Sequence, residues 1–199
     1  TNDEINNMTF YSFEIINRST YSLRETYMSL WTDPDLGFSH DDYVGCDVLR
    51  GLGYCYNGDQ FDEDGNGAFG YGAQPPAIGI DFFQGPYMDP DGIDNGAFKQ
   101  YTDSSGALVT VNCNEAINGV NFGNGIIDDE RFGMRRFVYH NNNGTVPWYM
   151  TDPDYAIEYY NFLRGYWKDN TRMLYGGNAH TSSGAYGPEC DFMFPDETD

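Results

Sequence analysis

Lysine is almost absent from this chain. Its 199 residues include ten basic side chains, of which only Lys99 and Lys168 are lysines, against 31 acidic ones, for a net charge of −21. Such a chain is repelled by nucleic-acid phosphates and by anionic membrane surfaces, so neither is an expected partner. No apolar run approaches the roughly 20 residues needed to cross a bilayer, and direct membrane insertion is not expected. Histidine is scarce, with only His40, His140 and His180, and no H-E-x-x-H zinc motif occurs. The four cysteines form no C-x-x-C or C-x-x-C-H, which removes zinc-ribbon, dithiol-redox and c-type haem readings. There is no Walker lysine motif, no G-x-G-x-x-G between strand and helix and no G-x-S-x-G. The chain opens on Thr1 and reads as a mature or excised piece of a larger protein.

What is abundant is aspartate, in loops. The carboxylates are mostly Asp, set beside Gly and Asn rather than along helix faces. Asp residues at i, i+2 and i+4 followed by Gly let one turn wrap a hard cation, and Ca²⁺ relieves the mutual repulsion of convergent oxygens by taking 6–8 of them. On this spacing Ca²⁺ is the expected cofactor. The first candidate ligands are Asp33, Asp35, Asp41, Asp42 and Asp47. The second set is Asn57, Asp59, Asp62, Asp64 and Asn66, where residues 62–67 spell the D-x-D-x-N-G opening of an EF-hand-type loop. Position 12 of that loop falls on Ala73 instead of Glu, so it is not an EF-hand. The third set is Asn124, Asp128 and Glu130. The competing reading is a carboxylate-rich surface that keeps the protein in solution.

An even number of cysteines in an acidic chain fits an oxidising, extracellular setting. Cys46, Cys55, Cys113 and Cys190 are therefore expected in disulfides. A local Cys46–Cys55 bridge is plausible, and three pairings are open.

Residues 8–17 and 21–31 alternate and are rich in aromatic and β-branched types, so they predict two strands, a hairpin or neighbours in a sheet. Further strand signals lie in 43–56, 77–83, 108–111 and 135–140, while 86–106 reads as loop. Pro153 behind Thr151 and Asp152 opens the one clear helix, at about 153–166. The pattern predicts a single mainly β module over 1–199, β-sandwich-like, with long Asp/Gly-rich loops and one C-terminal helix.

Several runs carry a resemblance: 29–59, 71–86, 123–142, 154–177 and 192–199, including Asp33-Pro34-Asp35-Leu36-Gly37 and Gly45-Cys46-Asp47. Together these motifs resemble an uncharacterised module of large secreted surface proteins of Bacteroidota, many of which carry a C-terminal sorting domain for type IX secretion. The resemblance spans about residues 10–198. It implies an exported, cell-surface bacterial protein whose partners are other domains of the same protein or neighbouring copies. It carries no assigned activity or ligand.

Two functional classes compete with a structural or adhesive, calcium-stabilised, non-catalytic module. A carbohydrate-binding module would use exposed aromatics such as Trp31, Trp148, Trp167, Tyr159 or Tyr160 against sugar faces, making extracellular glycans the partners. A glycoside hydrolase would need two glutamates or aspartates across a cleft. Glu14, Glu25, Glu115, Glu130 and Glu158 are available, but none stands in a distinguishing motif. A Ser-His-Asp site has only the three histidines to draw on, and His180, after Gly176-Gly177-Asn178-Ala179, reads as an exposed loop residue.

Overall fold

The computed structural model describes residues 4–141 and 144–196; Asn142 and Asn143, in the turn expected after residue 140, lie outside them. The strands form small antiparallel sheets, accompanied by one α-helix. Strands β1 (Asp42–Asp47), β2 (Leu52–Asn57) and β3 (Ala77–Asp81) make a three-stranded sheet in the order β1-β2-β3. The β1–β2 turn closes through Asp47, whose Oδ1 accepts the Arg50 amide at 2.9 Å while its carboxylate pairs with the Arg50 guanidinium. That pairing holds the Asp47 carboxyl below the usual range. Gly45 lies beneath the Tyr54 ring, where a Cβ would collide with it, so glycine here lets an aromatic cross the sheet. On its open side β1 is covered by the C-terminal segment: Cys46 N donates to Phe194 O at 3.1 Å and Asp196 N to Cys46 O at 2.8 Å.

Strands β4 (Phe98–Thr102) and β5 (Leu108–Asn112) form a separate two-stranded ribbon. β4 falls in a stretch expected to be loop. Helix α1 (Ala156–Leu163) is shorter than expected at both ends. Its first turn is tied by Glu158, whose Oε2 accepts Asp154 N at 2.7 Å and Tyr155 N at 3.2 Å. The main apolar cluster lies near the C-terminus: Phe162, Trp167, Met173, Ala179, Cys190 and Met193. Trp167 is fully buried at its centre and its indole N–H donates to Ala179 O at 2.9 Å. That removes it from the candidate sugar platforms. The 135–140 segment is not a ladder strand; it makes the single bridge Phe137–Phe192 and feeds this core.

The largest departure lies at the start of the chain. Residues 8–32 are exposed throughout and enter no sheet. Their alternating apolar residues have strand character, but the hairpin expected for 8–17 and 21–31 does not form. A local closure lies at 17–21, where Asn17 Nδ2 donates to Tyr21 O at 2.9 Å.

Candidate functional site

The carboxylate loops do gather, and their principal partner is backbone. Asp62 is 1% exposed; its Oδ1 accepts Phe38 N at 2.9 Å and its Oδ2 accepts Tyr71 N at 2.7 Å. One side chain thereby joins the 33–41 loop to the 62–72 loop. Gly37, at φ +70°, sits directly against that carboxylate, and a Cβ there would overlap it. Asp42 Oδ2 accepts Leu36 N at 2.9 Å, Asp64 Oδ1 accepts Gly70 N at 2.8 Å, and Asp59 Oδ1 accepts Phe61 N at 2.8 Å. Asn66 bonds the His40 ring at 2.9 Å. Asp33 and Asp35 remain exposed. Burial pushes the Asp42 carboxyl up, and Asp41, Asp62 and Asp35 add to the rise against the lowering effect of the Leu36 amide.

The second gathering repeats the device. Asp128 Oδ1 accepts Asp91 N at 2.8 Å and Gly92 N at 2.9 Å. Asp94 accepts Gly123 N at 2.9 Å and Gly125 N at 2.7 Å. Buried Glu130 accepts Asn95 N, and Asn124 accepts Ile126 N at 2.8 Å. A carboxylate taking two amides satisfies donors that a glycine-rich loop has no ladder to satisfy. The buried oxygens Asp41 Oδ1, Asp42 Oδ1, Asn57 Oδ1, Asn95 Oδ1 and Asp129 Oδ1 have no hydrogen-bond partner.

These contacts correct two expectations. Among the described residues, no group of three or more His, Cys, Asp or Glu side chains is arranged to hold a metal ion. That finding overturns the metal-binding, calcium-binding character expected from the carboxylates Asp33, Asp35, Asp41, Asp42, Asp47, Asp59, Asp62, Asp64, Asp128 and Glu130, with which Asn57, Asn66 and Asn124 are grouped. Loop spacing does bring oxygens together, but amide donors take much of what was assigned to a cation. The disulfides are absent as well: Cys46, Cys55, Cys113 and Cys190 are free thiols. In the β1–β2 register Cys46 faces Gly53 and Cys55 faces Val44, so the two are offset. Cys46 Sγ donates instead to Met193 O at 3.3 Å. Burial pushes the Cys46 thiol up to about 12 and the Cys55 thiol up to about 11.

His180 is also not the exposed loop residue its neighbours suggest. It is buried, stacked on Tyr149 with ring centroids 4.0 Å apart. Its Nδ1 accepts Ser182 N at 3.1 Å, so Nε2 carries the proton and faces Asp169 Oδ2 at 3.0 Å. Ser182 Oγ lies 2.7 Å from Nδ1 and 2.7 Å from the Tyr149 hydroxyl. Burial alone would raise the Asp169 carboxyl; the Thr171 amide and His180 outweigh it and hold it low. The order of groups is that of a hydrolytic triad, but the setting is a cap. His180 opens the short 3-10 turn Thr181–Ser183, and the following amides are already spent, Ser183 N on His180 O and Gly184 N on Thr181 O. The amides of Ser182, Ser183 and Gly184 are therefore already engaged where an oxyanion would need donors. The H-x-S spacing was the available sequence signal.

An open cavity of about 520 Å³ lies beside β2, lined by Tyr56, Asn57, Asp59, Gln60, Gln74 and Pro75. Tyr56 is 43% exposed and stacks on Tyr43 with centroids 6.2 Å apart. It sets an aromatic face among amide and carboxylate groups. Trp31 and Trp148 are exposed elsewhere.

No family model, curated protein or solved structure matches the chain.

Proposed function

We propose that this chain is a non-catalytic structural or adhesive module of a secreted bacterial surface protein. The observation that carries the reading is surface. The chain exposes 14086 Å², whereas a monomer of 22.5 kDa is expected to expose about 9,500 Å². The exposed residues include large apolar ones: Phe10, Tyr11, Phe13, Ile15 and Tyr21 are all more than 60% exposed. Apolar surface of that extent marks association rather than solubility. Against catalysis stands the use already made of the glutamates: Glu130 holds a loop amide and Glu158 caps α1. The β-sandwich-like reading of the fold belongs with this proposal, as the arrangement that strands added from an assembly would complete.

Carbohydrate binding is the second reading, favoured by the cavity at Tyr56. An aromatic face beside Asn57, Asp59 and Gln74 matches the apolar and hydroxyl faces of a sugar. Retention of the chain on bacterial cell-wall or matrix material, with no reducing sugar released, is the expected result. Loss of that retention in Tyr56→Ala would favour the sugar reading, and retention unaffected by Tyr56→Ala would favour protein-mediated adhesion. Release of reducing sugar would overturn both.

A further inference from the structure

Residues 8–32 form an exposed arm that enters no sheet. Its sequence places apolar residues at every second position, Tyr11, Phe13 and Ile15, exposed by 77%, 72% and 68%, with the Tyr11 and Phe13 rings stacked at 6.4 Å. Among the described residues, no backbone–backbone hydrogen bond joins 9–32 to the rest of the chain. What holds the arm is sparse: Phe10 stacks on Phe83 at 5.9 Å, Tyr27 meets Tyr160 edge-on at 5.7 Å, and the Tyr160 hydroxyl donates to Glu25 Oε2 at 3.2 Å and Glu25 O at 3.4 Å. The β4–β5 ribbon has the converse defect. It is a sheet of two strands paired only with each other, and an isolated two-stranded hairpin is marginal in water. Every residue of β4 is exposed, and Phe98 and Leu108 stand out by 64% and 68%.

Charge selects the partner. On a chain of net charge −21, residues 8–32 balance Glu14 and Glu25 against Arg18 and Arg24, and residues 97–113 balance Asp103 against Lys99. These two neutral apolar segments are where a second, equally acidic copy can approach without facing a carboxylate field. The surface excess over a compact monomer exceeds the 1,200–2,000 Å² of a standard interface. We propose that the arm of one copy adds as a strand to the free edge of the β4–β5 ribbon in a second copy of this chain. The ladder hydrogen bonds supply affinity, and the alternating apolar residues set the register. Reciprocal exchange gives a closed dimer, and head-to-tail exchange gives a chain of modules. This inference rests on the reading of the chain as a structural or adhesive module.

The test is light scattering on the size-fractionated full chain, over a concentration series and with reductant to keep the thiols free. The wild type should rise above its 22.5 kDa monomer mass with concentration and gain strand signal in the far-ultraviolet. Phe13→Asp/Ile15→Asp alters only exposed arm positions and should remain monomeric with an unchanged melt. Phe98→Asp/Leu108→Asp should also be monomeric. Mixed together, the two variants should form a one-to-one dimer that grows no further, because only one arm and one ribbon are intact. A wild type that stays monomeric at every concentration overturns the proposal. So does an arm variant that assembles like the wild type, or a mixture that stays monomeric. A monomeric chain still retained on cell material would sink this inference and leave the adhesive reading standing. Release of reducing sugar would sink that reading while leaving the assembly result as measured.

Discussion

Asp62 carries two amides from two loops on one buried carboxylate, so its removal leaves both donors dry. Asp62→Ala is expected to cost about 3 kcal/mol in a urea melt, with Asp62→Asn between it and the wild type because one acceptor remains. Asp42 should behave in the opposite sense. Burial and the neighbouring Asp41, Asp62 and Asp35 raise its carboxyl above the unfolded value. Its contribution to stability is therefore complete at low pH and is lost as pH rises through the folded-state value. Asp42→Asn keeps an acceptor for Leu36 N and should raise the thermal midpoint at neutral pH, with the gain shrinking in acid. A midpoint lowered at neutral pH would contradict the assigned sign. At this scale the sequence was half legible. The D-x-D-x-N-G spacing of 62–67 marks a loop whose patterned side chains are all engaged, Asp62 and Asp64 by backbone amides and Asn66 by the His40 ring. It is silent on what fills the centre, because a backbone amide belongs to every residue and leaves no trace in side-chain spacing.

Elements were legible where their signals are local. The Thr151-Asp152-Pro153 start located α1, although its first helical residue is Ala156, because Glu158 reaches back to Asp154 N and Tyr155 N and fixes the entry there. Glu158 also lies 3.5 Å from the buried ammonium of Lys168, which bonds Asp154 at 2.8 Å. Burial would lower the Lys168 ammonium; Asp154 and Glu158 together raise it instead. Glu158→Ala removes a cap and half of an ion-pair network, and a loss of about 1–2 kcal/mol in chemical denaturation is expected. The strands β1, β2, β3 and β5 follow their apolar runs. β4 was missed because Phe98-Lys99-Gln100-Tyr101-Thr102 sits in a Gly- and Asp-rich stretch and is recruited only by pairing with β5. The arm is the reverse case: alternation at 8–17 is a property of the residues, whereas a ladder is a property of two segments, and among the described residues no second segment pairs with it. Disulfides were misread for a related reason, since an even count of cysteines says nothing about the register that offsets Cys46 from Cys55.

For the whole molecule, the acidic excess plays two parts. Inside the loops it replaces ladder hydrogen bonds. Across the surface it repels itself, and a net charge of −21 opposes the compact state. Added sodium chloride should screen that repulsion and raise the melting midpoint, most steeply below the roughly 0.15 M at which the screening length falls to about 8 Å. A midpoint indifferent to salt would mean that the surface charges are already compensated. The central claim concerns the loops, that carboxylates hold them by accepting backbone amides, and amide hydrogen exchange followed residue by residue tests it most directly. Phe38 and Tyr71, both donating to buried Asp62, should exchange far more slowly than amides of the arm such as Phe13 and Leu23, and Asp62→Ala should release both. Phe38 and Tyr71 exchanging as fast as the arm in the wild type would contradict the account.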